Sequence, residues 1–100
     1  MIKHIVMWRL KDSAGGRDKA ANARLIKEKL EALRGRIPGL LTVEVGLDFS
    51  KSDASADVVL VSEFADRAAL QVYQAHPEHT AVADFIGEVR SERRLIDYEV

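Results

Sequence analysis

The chain of 100 residues has no cysteine. That excludes disulfides, thiolate catalysis and zinc–thiolate centres, and it fits a reducing, cytoplasmic setting. Charge of one sign is also missing: 15 basic residues face 16 acidic ones, for a net charge of −1. No basic stripe marks a nucleic-acid binder. The densest positive cluster, RSERR at 90–94, is split by a glutamate and reads as a solvated helix end. Apolar runs are short, the longest being of the kind VVLV at 58–61, so no membrane span is expected. The opening MIKHIVMWRL meets charge too early for a signal peptide. No glycine-rich phosphate loop stands between a strand and a helix. Only two prolines and three histidines occur, and one proline and two of the histidines fall in YQAHPEH at 73–79.

What is present is periodicity. One hundred residues make a single domain, 1–100, with one modest core. Ile2, His4, Val6, Trp8 and Leu10 alternate with Lys3, Ile5, Met7 and Arg9, which predicts a strand. From Arg17 to Arg36 the apolar steps become three and four (Ala23, Ile26, Leu30, Leu33, Ile37), which predicts a helix stopped by Pro38-Gly39. Leu41 to Phe49 alternates again, and Val58 to Phe64 gives a third strand. DRAALQVYQAH reads as a short helix capped by Asp66. Pro77 forces a break at His76 and suits the first turn of a new helix over 77–89. Leu95 to Val100 closes as a fourth strand.

The order β-α-β-β-α-β implies an α+β, ferredoxin-like fold: a four-stranded antiparallel sheet, helices on one face, the first and third strands central. The other face would carry Ile5, Met7, Val59 and Val61 at its centre, with Lys3, Arg9, Asp57 and Glu63 towards the ends. An apolar centre inside a polar rim predicts a partner, most simply a second copy packed sheet to sheet.

The chemistry concentrates in YQAHPEH. His4 shares a strand face with Val6 and Trp8, and the segment crosses over that layer. Tyr73 follows Leu70 by one helical turn and can point inwards. His79 falls in the first turn of the helix that begins at Pro77, where the helix dipole disfavours an imidazolium. A neutral histidine accepts a proton, and a tyrosine donates one or bonds to a developing oxyanion. Around an apolar pocket this is minimal equipment for enolisation or aldol chemistry. Each residue also has a plainer reading. His79 can pack at a helix start, His76 can serve the pre-proline break, Tyr73 can be a core aromatic whose hydroxyl reaches the surface, and His4 can be a satisfied core histidine. His76 and His79 have metal-ligand spacing, but Pro77 breaks it. A third ligand from His4, Glu78 or Asp84 shows no convergence, so no metal is expected.

KHIVMWRLK at 3–11, IPGLLTVEVGLD at 37–48, AALQVYQAHPEH at 68–79 and RRLIDYEV at 93–100 together resemble the Dabb family, the stress-responsive dimeric α/β-barrel domains. The resemblance implies two ferredoxin-like subunits forming a barrel through their sheets. The family includes plant stress proteins that form larger particles, and olivetolic acid cyclase, which performs an intramolecular aldol condensation without a cofactor. By this resemblance His79 matches the acid/base histidine of that enzyme, Tyr73 its tyrosine and His4 a pocket-lining histidine. Three functional classes stay open at this level. One is cofactor-free acid/base chemistry on a carbonyl or aromatic compound, in a small-molecule pocket bounded by His4, Tyr73 and His79. The second is a non-catalytic stress-response oligomer. The third is a cofactor-free monooxygenase of the wider dimeric α/β-barrel superfamily.

Overall fold

A computed structural model describes all residues, Met1–Val100. Four strands, β1 (Ile2–Leu10), β4 (Leu40–Leu47), β5 (Val58–Phe64) and β6 (Arg90–Glu99), form one antiparallel sheet in the order β4-β5-β1-β6. Two-residue strands β2 (Ser13–Ala14) and β3 (Arg17–Asp18) make a separate small hairpin. Helices α1 (Lys19–Glu31), α2 (Arg67–Ala75) and α3 (Pro77–Val89) complete the chain. This is the expected ferredoxin-like arrangement. β1 and β5 are central: β1 pairs with β5 and β6, and β5 with β1 and β4.

The core lies between one sheet face and the helices. β1 contributes Ile2, Val6, Trp8 and Leu10, β5 contributes Val58, Leu60 and Phe64, and α1 contributes Ala23, Ile26 and Leu30. Alternation on the strands and three-or-four spacing on the helix bring these residues to one layer.

Three boundaries differ from the sequence expectation. The first helix spans Lys19–Glu31, not 17–36. At its start, Gly15 and Gly16 take positive φ and fold Arg17 and Asp18 back on Ser13 and Ala14. Asp18 then caps the helix by accepting from the N–H of Ala21. At its end the bonding tightens to i→i−3 (Leu33 to Leu30, Arg34 to Glu31, Arg36 to Leu33), and Gly35 takes φ +77°. Leu33 and Ile37 still reach the core from these turns. The second strand ends at Leu47, so Phe49 lies outside it and is 95% exposed. The last strand begins at Arg90, so RSERR is strand and not a helix end. Its alternation was masked because an edge strand carries charge on both faces.

The split of the second helical region is as expected. Asp66 caps α2 by accepting from Ala69 N–H. His76 is extended (φ −69°, ψ 134°), and Pro77 opens α3. On the outer sheet face, Ile5, Val59 and Val61 are half-exposed and Met7 is exposed. Register places Ile96 opposite Ile5 and Tyr98 opposite Lys3, so both extend this face and both are exposed. Asp57 does not join the rim. Its carboxylate accepts the N–H of Leu10 at 2.7 Å and faces Lys19 at 3.7 Å. No helix is long and apolar enough to cross a membrane.

Candidate functional site

His4, Tyr73 and His79 converge on the helix side of the sheet. His4 stands on the core face of β1, Tyr73 on the inner side of α2 near its end, and His79 in the first turn of α3. All three line one cavity of about 220 Å³, completed by apolar groups that include Val6, Trp8, Leu60 and Ile86. The Pro77 break makes this possible: it turns the chain between Tyr73 and His79 so that their rings lie 4.2 Å apart at 44°. Tyr73 also sits 4.9 Å from Phe64 and 6.2 Å from the ring of His4.

Tyr73 is wholly buried, and its hydroxyl has no hydrogen-bond partner in the protein. The expectation that this hydroxyl reaches the surface does not hold, because α2 carries the residue on its core-facing side. Burial pushes its pKa up to about 12, so the group is a phenol, and a donor, throughout the physiological range. A buried hydroxyl without a partner is uncommon and calls for a cause.

His79 is half-buried, and its pKa lies below the ordinary 6.5. The main cause is burial, which disfavours the cation. The Gln74 carbonyl opposes this, and the positive charge of Arg93 reinforces it. The neutral form expected from the sequence is therefore favoured chiefly by desolvation. The His79 Nδ1 lies 3.3 Å from the Gln74 carbonyl, which can only accept. Nδ1 therefore carries the hydrogen, and the Nε2 lone pair is the basic site.

His4 is 3% exposed and hydrogen-bonds through Nδ1 to the Asp97 carboxylate. A carboxylate accepts, so Nδ1 is the donor. Asp97 was missed by sequence reasoning. It lies opposite His4 in the β1–β6 register, ninety-three positions away in sequence. The available signal was topological: in this fold the first and last strands are neighbours, so an acid at alternating spacing on the last strand can meet His4. Arg90 and Arg93, also unassigned from the sequence, line the same cavity.

His76 does not join the site. Its Nδ1 accepts the N–H of Glu78 at 3.1 Å, so the side chain caps α3. This matches the structural reading of the pre-proline position. No three His, Cys, Asp or Glu side chains converge anywhere in the chain.

Comparison with known proteins places this arrangement in context. The profile of the Dabb family, the stress responsive A/B barrel domain, matches residues 2–100. A dimeric protein of ferredoxin-like fold from Bacteroides fragilis is 32% identical, with a TM-score of 0.87 over 99% of this chain and 95% of that one. A Dabb family protein from Mesorhizobium loti is 26% identical, with a TM-score of 0.77 over 99% and 95% of the two chains. A hydroxynitrile lyase from Passiflora edulis shares the fold at 16% identity, with a TM-score of 0.81 over 99% and 92%. None of the curated proteins matches this sequence. With its whole length accounted for by one profile and its fold shared with these structures, the chain belongs to the Dabb family of stress responsive A/B barrel domains.

Proposed function

We propose that this chain works as a homodimer joined through its outer sheet face, and that the helix-side cavity of each subunit performs cofactor-independent acid/base chemistry on a small carbonyl compound. The observation that carries the catalytic half is the buried, unpartnered hydroxyl of Tyr73 stacked against a neutral His79. Leaving a hydroxyl unsatisfied costs about 1–3 kcal/mol. A carbonyl oxygen of a bound compound accepts from it and removes that cost.

The chemistry then follows from the tautomers. His79 Nε2 takes a proton from the carbon next to the carbonyl. The electron pair moves into the carbonyl, and the Tyr73 hydroxyl donates to the oxygen as its charge grows. Return of the proton from the imidazolium to the same carbon gives exchange or epimerisation, and to another carbon gives isomerisation. Attack of the enolate carbon on a second carbonyl gives ring closure, the proton on His79 passing to the alkoxide that forms. Asp97 holds His4 in one orientation, and His4 positions the substrate. A hydroxyl without a protein partner at the wall of a cavity is free to bond to what enters it, which favours the catalytic reading over a purely structural oligomer.

The dimer half rests on the outer face, where Ile5, Met7, Val59 and Val61 form an apolar centre that Ile96 and Tyr98 extend. Phe49 stands beside it, across a groove lined by Met7, Leu47 and Val59. The 32% identical protein is described as dimeric.

The test of the catalytic half is α-proton exchange. In D₂O, the protein should speed deuterium incorporation into members of a panel of small aryl ketones and β-keto acids, followed by NMR. His79→Ala should lower that rate about 100-fold or more while costing only about 1 kcal/mol of stability, from lost ring stacking. An unchanged exchange rate in His79→Ala would overturn the assignment of the base. A collapse of the fold would assign His79 to structure.

A further inference from the structure

The cavity has two ends of different character. Val6, Trp8, Leu60 and Ile86 line it as buried apolar side chains, whereas the lining residues Arg90 and Arg93 are exposed. Arg90 is the first residue of β6, directly after α3. Arg93 lies on the core-side face of β6, opposite Trp8. Neither guanidinium has a carboxylate within 4 Å, and neither side chain makes a hydrogen bond to the protein. The nearby acids are engaged elsewhere: Asp97 with His4, and Glu92 with Arg94 at 3.9 Å. Nine other ionic side chains of this chain are drawn into pairs, among them Arg36 with Glu78 and Lys27 with Glu31. Two arginines without a protein partner, both lining one cavity, are placed to meet the charge of a ligand there.

Cavity size narrows the choice. An apolar cavity of about 150 Å³ admits benzene. This one, at about 220 Å³, has room for a single ring and a short substituent.

We propose that Arg90 and Arg93 form an anion-binding mouth, and that the ligand is a small monocarboxylate with its carboxylate at this mouth and a single ring or short acyl chain against Val6, Trp8, Leu60 and Ile86. This deepens the reading of the same cavity given above and rests on that cavity being open to ligand. Guanidinium groups hold carboxylates through paired N–H donors, roughly twice as strongly as neutral hydrogen bonds. The bound negative charge also offsets the positive field that Arg93 imposes on His79. The arginines thus act as specificity residues: they select acids over neutral molecules of the same shape.

Trp8 is the only tryptophan and lines the cavity, so its fluorescence reports occupancy directly. The experiment titrates the full chain with phenylacetate and with its neutral isostere phenylacetamide. Phenylacetate is expected to bind about tenfold or more tightly than the amide, with the gap narrowing as salt rises. In the Arg90→Gln/Arg93→Gln double variant the two compounds should bind alike. The affinity for phenylacetamide should match that of the unmodified chain, which shows that the cavity itself is intact. Equal affinities in the unmodified chain, or a preference retained in the double variant, would overturn the anion assignment and leave the cavity reading standing. Binding of neither compound would overturn the cavity reading and this inference together.

Discussion

Replacing Tyr73 with phenylalanine separates a catalytic tyrosine from a structural one by the sign of a stability change. The ring of Tyr73 is fully buried and packs against Phe64 at 4.9 Å and His79 at 4.2 Å. Phenylalanine keeps all of that packing. The only loss is a hydroxyl that has no partner in the protein. Removing a satisfied buried hydroxyl costs about 1 kcal/mol, whereas an unsatisfied one carries a penalty of about 1–3 kcal/mol that its removal relieves. Tyr73→Phe should therefore stabilise the chain by about 1 kcal/mol. In a domain of this size that raises Tm by about 4–8 °C. The same variant should lose most of the α-proton exchange described above, because the oxyanion loses its donor. The assay is urea unfolding by circular dichroism, paired with the NMR exchange rate. Loss of about 1 kcal/mol in place of a gain would show that the hydroxyl is already satisfied in the free protein, and an unchanged exchange rate in the variant would refute the donor role.

Other consequences follow from the same structure. Val61→Asp or Ile5→Asp places a charge in the centre of the outer sheet face, where pairing with a second copy would bury it without a counter-ion; light scattering at micromolar concentration should show monomer, and unchanged mass would refute the sheet-to-sheet interface. Because His79 titrates below its unfolded value of 6.5, the unfolded chain binds more protons in that window; its stabilising share is complete above pH 6.5 and is lost as pH falls through the folded pKa, and an imidazole NMR titration with a midpoint above 6.5 would contradict this. In a Tyr98→Phe background, which leaves Tyr73 as the only tyrosine, ultraviolet absorbance should show no tyrosinate at pH 10.5, since burial moves that ionisation to about 12. Gly39→Ala should destabilise by about 2 kcal/mol or more, measured by urea unfolding, because φ is +83° and the new Cβ would lie 2.5 Å from the Cβ of Ala69.

The sequence carries the fold where local rules and burial agree. β1 and β5 are buried on one face and half-exposed on the other, so their alternation is plain. Pro77 announces the α2–α3 break because pre-proline sterics act on one residue, whatever surrounds it. The first half of β6 escapes for the opposite reason. As an edge strand with every residue exposed, it has no apolar face to print a period of two on RSERR. That failure hides function as well as structure. Read as a helix end, Arg90 and Arg93 point to solvent. Read as strand, Arg93, Leu95 and Asp97 share the face of His4, and the register then delivers one acid to His4 and two arginines to the cavity mouth. Of the candidate residues named from the sequence, Tyr73 and His79 are near neighbours around a proline, and His4 stands on the plainly alternating β1. Those that were missed reach the site through pairing between the first and last strands, a contact that no local window contains. In this fold the share of the cavity that the edge strand supplies is the harder share to read, because edge strands have the weakest patterns.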